Sequence, residues 1–143
     1  MAEALLRARV IREAQDWQIG SAGIQALSGY GAAYNSRLVM EKRGLSLSDH
    51  RARQVTRDMI VSHNLVLTME RGQKEALVAA FPEFAPRILM LSELGGELRD
   101  IVDPIGGPLR DFNDTAQEID QILSQGYKKI RRLAADKTER SAP

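Results

Sequence analysis

The chain is 143 residues long, 43% hydrophobic and 27% charged, with a formal net charge of +1. That length and balance fit one globular domain with a real core, and so small a charge supplies no field for nucleic acid or an anionic membrane surface. The chain has 0 cysteines, which excludes disulfides, thiolate metal sites and thiol chemistry by these residues. No apolar run approaches the ~20 residues of a membrane span. Glu3, Arg7 and Arg9 interrupt the start where a signal peptide needs an unbroken apolar stretch, so the cytoplasm is the expected compartment. His50 and His63 come without ligand spacing, so no metal and no cofactor is expected.

In chain order, Ala2–Gln15 sets Leu5, Leu6, Ala8 and Val10 among Glu and Arg, which predicts a helix. Trp17–Ala22 (WQIGSA) is a short apolar run ending in small residues and predicts a strand. Ser28–Tyr34 (SGYGAAY) is a glycine-rich loop, and Asn35–Arg43 a short helix stopped by Gly44. Ser48–Gln54 is a polar connector. Thr56 caps a helical turn that runs to Ser62. Asn64–Met69 (NLVLTM) and Arg87–Ser92 (RILMLS) are continuous apolar runs of strand length, the pattern of strands buried on both faces of a parallel sheet. Between them Arg71–Phe81 is helical and stops before Pro82. Gly95–Pro108 is a long loop. Asp111–Ala135 is an amphipathic helix with Ile119, Ile122, Leu123, Tyr127, Ile130 and Leu133 on its inner face. Its cations Lys128, Lys129, Arg131 and Arg132 suit a solvated helix end. Residues 137–143 are expected to be a disordered tail.

The alternation predicts an α/β fold with a parallel sheet flanked by helices in three layers, in one domain spanning residues 1–136. A sheet of only three strands, behind a chain that opens on a crossover helix, reads as a sheet without its first strand. Within the long loop, Asp100–Pro108 reads DIVDPIGGP. Asp103 there begins a rigid Asp-Pro turn followed by two glycines, a setting that suits an exposed general acid.

Several segments together resemble the low-molecular-weight protein-tyrosine-phosphatase family, from Met1 to about Leu133. MAEALLR resembles the helix that follows the family's catalytic loop. Ser21-Ala22-Gly23 resembles the SAG that ends its second strand, and Ser48–Gln54 its S-x-H-x-A-R-Q segment. Asn64–Met69 with Glu70-Arg71 resembles its L-x-L-T-M strand and the helix after it, and Asp103–Pro108 its D-P-F-G-G acid loop. The resemblance implies phosphomonoester hydrolysis. A cysteine thiolate in a C-x5-R-S-P loop attacks the phosphate, the loop's arginine and amides hold it at a helix N-terminus, and the Asp-Pro acid protonates the leaving group and then activates water. On that reading Asp103 is the general acid, and Ser21 and His50 support the phosphate loop. Tyr30, Tyr34 and Ile105 are candidates for a wall against the substrate, which would be a phosphorylated protein or a small phosphomonoester.

The sequence departs from the family in ways that bear on activity. No residue matches the C-x5-R-S-P loop or the strand before it. Arg51 and Arg53 are no substitute for the loop arginine without converging amides. Ile105 stands where the family has an aromatic residue, and Ala33 where proline is common. As written the chain is expected to be catalytically silent, a binding or oligomeric module. The alternative is a fragment or mis-started form of an active phosphotyrosine or phosphoarginine phosphatase, in which Met1 corresponds to an internal position. Arsenate reduction on this fold needs several thiols and is disfavoured. A sheet without its central strand leaves backbone groups unpaired at about 1–3 kcal/mol each. It must therefore close the gap, borrow a strand from another chain as a homo-oligomer by strand exchange, or be marginally stable.

Overall fold

The computed structural model describes residues 1–13 and 16–135. These form α1 (Ala2–Arg12), α2 (Tyr34–Lys42), α3 (Arg57–Ser62), β1 (Val66–Thr68), α4 (Arg71–Ala80), a 3-10 turn (Pro82–Arg87), β2 (Ile88–Met90), a second 3-10 turn (Leu91–Gly95) and α5 (Leu109–Ala135). The chain is α/β, and its sheet is parallel: Val66 pairs with Ile88, Leu67 with Leu89 and Thr68 with Met90. The predicted end of the first helix at Gln15 and the predicted tail at 137–143 lie outside the described residues. Among the described residues no helix is long and apolar enough to cross a membrane.

The helix starts follow from local chemistry. Thr56 caps α3, its hydroxyl accepting the Met59 amide at 3.3 Å. At α4, Glu70 and Gln73 form a reciprocal capping box, and Asp100 accepts the Arg71 amide at 2.7 Å. An acceptor there suits the positive end of the helix.

The chain divides into two compact units. In the first, residues 1–55 and 102–121, the buried apolar side chains are Leu5, Val10, Val39, Met40, Leu47, Phe112, Ala116 and Ile119. Asp120 is held by Arg9 at 3.2 Å and Arg43 at 3.9 Å. In the second, residue 56 to 101 and 122 onward, β2 and the inner face of α5 supply most of the core: Ile88, Met90, Ile122, Leu123, Tyr127 and Ile130 are all buried. Glu93 accepts from the Lys74 ammonium at 2.8 Å and the Met90 amide at 2.6 Å. Lys129 reaches the Glu93 carbonyl at 3.0 Å, so one cation of the predicted solvated cluster is a brace. Gly126 lets α5 approach closely, since a Cβ there would sit 2.5 Å from the Leu94 Cβ and 3.2 Å from its carbonyl oxygen.

One sequence expectation is corrected. Trp17–Ala22 is not a strand; among the described residues the only ladder contact nearby is an isolated parallel bridge between Gly23 and Gln54. Strand geometry needs a paired neighbour, and this segment is held by side chains instead. Arg7 donates to the Ile19 carbonyl, and Arg53 donates to the Ser21 carbonyl at 2.9 Å. The sheet of the described residues therefore has two strands rather than three.

Candidate active site

Every residue singled out as a site candidate belongs to the first unit. The acid turn is built by short-range bonds. Asp103 is exposed and its Oδ1 accepts the Ile105 amide at 2.9 Å, an Asx turn that ties the side chain to its own backbone two residues on. The Gly107 amide then donates to the Pro104 carbonyl at 2.9 Å, and the Asp111 amide to the Pro108 carbonyl at 3.0 Å as α5 begins. Gly106 has φ +83°, and a Cβ on Gly107 would lie 2.7 Å from the Asp111 carboxylate and 3.0 Å from the Pro104 carbonyl. The two glycines are thus required by different parts of one turn.

Ser21 and His50 meet at a residue that sequence reading passed over, Glu3. The Ser21 hydroxyl donates to Glu3 Oε2. His50 Nδ1 lies 3.9 Å from the same oxygen. Arg7, one helical turn on, donates to Oε1 through Nη2 at 2.9 Å and Nε at 3.1 Å. Burial alone would raise the Glu3 carboxyl, but the Ser21 and Arg7 hydrogen bonds and the charges of Arg7 and His50 outweigh it and hold the group below the ordinary carboxylate range. The Glu3-x3-Arg7 spacing on a predicted helix was the available signal. Its meeting with Ser21 and His50 was not visible in the sequence. Among the described residues, no hydrogen bond or ion pair joins Asp103 to this cluster.

The candidate wall is open to solvent: Tyr30, Tyr34 and Ile105 are each about two-thirds exposed. Tyr34 opens α2, with the Arg37 guanidinium 5.8 Å from its ring centre. The loop before it is clipped to the polar connector. Gly23 donates to Arg53 O, Gly29 to Ala52 O and Ala52 to Tyr30 O. The Gln54 amide both accepts from Ala26 N at 3.0 Å and donates to Ile24 O at 2.7 Å. Arg51 spends its guanidinium on the carbonyls of Ser48 and His50, and Arg53 on Ser21. Both arginines hold backbone in place.

The family model for low-molecular-weight phosphotyrosine protein phosphatase matches residues 1–136. The chain belongs to that family. It is 33% identical over 133 residues to a probable low-molecular-weight protein-tyrosine-phosphatase, EpsP, of Ralstonia nicotianae, covering 93% of this chain and 88% of the relative. A protein-arginine-phosphatase of Geobacillus stearothermophilus is 28% identical over 115 residues, 80% of this chain and 77% of that one. Among solved structures, the low-molecular-weight protein tyrosine phosphatase of T. tengcongensis superposes with a TM-score of 0.86 at 32% identity, covering 90% of this chain and 88% of the other.

Proposed function

We propose that residues 1–136 form a phosphatase-type domain that retains the acid side of a phosphomonoester hydrolase site and, as this 143-residue chain, turns over no substrate. The Asp103 turn is the observation that carries the first half. An exposed carboxylate sits on a turn fixed by its own Asx bond and two obligatory glycines, which suits proton delivery to a leaving oxygen and then proton removal from water. The absence of cysteine from the sequence carries the second half: with no thiolate there is no phosphocysteine. Ser21 and His50 are the supports of the anion-binding region, and here both face the Glu3 carboxylate.

The substrate class of the reading is a phosphorylated protein side chain, phosphotyrosine or phosphoarginine, presented against Tyr30, Tyr34 and Ile105. Assembly belongs to the same reading: the chain forms a homo-oligomer by exchanging a strand between copies. The compartment is cytoplasmic.

Two assays test the chemistry. The 143-residue protein is expected to hydrolyse p-nitrophenyl phosphate no faster than buffer, and turnover that Asp103→Asn abolishes would overturn the claim of inactivity. Fusing a strand and a C-x5-R-S-P loop ahead of Met1 is expected to install turnover, which Asp103→Asn then lowers by about 10²–10⁴-fold. A folded fusion that stays inactive, or one indifferent to Asp103, sinks the assignment of the acid.

A further inference from the structure

Two guanidiniums share one aromatic ring in the second unit. The guanidinium carbon of Arg87 lies 4.4 Å from the centre of the half-buried Phe84 ring, and that of Arg57, at the start of α3, lies 5.4 Å from it. Arg57 is already matched: it donates to the Glu83 carboxylate at 3.0 Å. Arg87 has no such match. Among the described residues its side chain makes no hydrogen bond or ion pair, and its Nε is shut off from water without a partner. Its Nη nitrogens are not shut off. They form the open end of a planar fork that the Phe84 ring holds in place.

The charges decide what such a fork can take. Two guanidiniums stand against one carboxylate, so one positive charge is left over. Arginine matches a carboxylate or a phosphate with two parallel hydrogen bonds. A carboxylate completes the balance here, whereas a phosphate dianion exceeds it. An ion pair at a surface contributes too little to hold a free anion, so the ligand must also cover apolar area. Phe84 and the exposed Pro82 and Pro86 supply that area. The proline rings also fix the turn, so little chain freedom is lost on contact.

We propose that the Arg87 fork and the Phe84 ring dock an acidic segment of a partner protein, one carboxylate on the Arg87 Nη nitrogens and an apolar neighbour against Phe84 and the two prolines. The inference rests on none of the phosphatase chemistry and on no assembly of the chain with itself.

The test adds a hexapeptide alternating glutamate and leucine to the isotope-labelled full chain. The amide signals of Arg57, Phe84 and Arg87 are expected to move, and a glutamine version of the peptide is expected to move none of them. Arg87→Gln should weaken binding about tenfold, the effect of one lost charge-assisted pair. Glu83→Gln frees a second fork at an exposed position. It should tighten binding about threefold, the worth of one exposed ion pair, and that gain does not depend on how well an Arg87 variant folds.

Shifts confined to the cations of Lys128–Arg132, or none with either the native chain or Glu83→Gln, overturn the site. Equal shifts with acetate at the same carboxylate concentration overturn the peptide as ligand. Tighter binding when phosphoserine replaces glutamate overturns the carboxylate. Movement of the same amides on concentrating the chain without peptide makes a second copy the occupant and overturns the foreign partner.

Discussion

The acid turn and the Glu3 cluster occupy the same unit and are built on opposite plans. The turn closes on itself: Asp103 to Ile105, Pro104 to Gly107, Pro108 to Asp111, all between near neighbours in sequence. The cluster is assembled from afar, with Glu3 and Arg7 from α1, Ser21 from the extended segment and His50 from the polar connector. The turn's shape is set by backbone, by glycine and by one short bond to a side-chain oxygen that asparagine also supplies, so the charge of Asp103 is expendable for folding. The cluster's shape is set by one carboxylate, so that side chain is not.

Mutations can break or sharpen this contrast. The largest effect is expected from Glu3→Ala, which removes the acceptor of the part-buried Ser21 hydroxyl and the ion pair of Arg7. A loss of about 1–3 kcal/mol in urea unfolding follows from leaving the part-buried hydroxyl unpaired. An unchanged midpoint would mean that the cluster organises nothing. Gly106→Ala comes next. It puts a Cβ on a residue at φ +83° and should cost about 1–2 kcal/mol, the penalty of a left-handed backbone for an ordinary residue.

A smaller effect depends on pH. The Glu3 carboxyl is depressed in the folded chain, so the stability it adds is complete above its ordinary value of 4.5 and is lost as pH falls through the lowered one. Glu3→Gln keeps an acceptor and removes the charge. The gap in urea midpoint between the native chain and this variant should therefore be wider at neutral pH than well below 4.5, and a gap that stays constant would contradict the charge argument. The smallest effect belongs to Asp103→Asn. The amide oxygen still accepts the Ile105 amide, so stability should move by no more than about 0.5 kcal/mol, as a matched pair of melts would show.

What could be read from the sequence follows the same division. Elements coded by neighbours were legible: Thr56 as the cap of α3, the inner stripe of α5 from Ile119 to Ile130, the glycines of the Asp103 turn, and the parallel pairing of two apolar runs. The runs NLVLTM and RILMLS shorten to Val66–Thr68 and Ile88–Met90, because a ladder extends only where both strands face each other. Trp17–Ala22 misled, since a short apolar run reports strand chemistry and says nothing about whether a partner is there. Glu3 was missed for a related reason. On a helix beginning AEALLRAR it looks like an ordinary solvent-facing acid, and only the folded path of residues 19–21 and 48–54 turns it into a hub.

The clip between residues 23–30 and 52–55 has a consequence for cleavage. Leu27 and Tyr30 are about 70% exposed and are side chains that chymotrypsin prefers. A protease must draw several residues around the bond into an extended form, which here means opening the Gly29–Ala52 and Ala52–Tyr30 bonds and the Gln54 amide bridge together. Their visibility therefore overstates their vulnerability. The tyrosine loop should survive limited digestion longer than its exposure suggests, and Gln54→Ala should convert it into a preferred nick site while leaving the Leu27 and Tyr30 side chains as exposed as before.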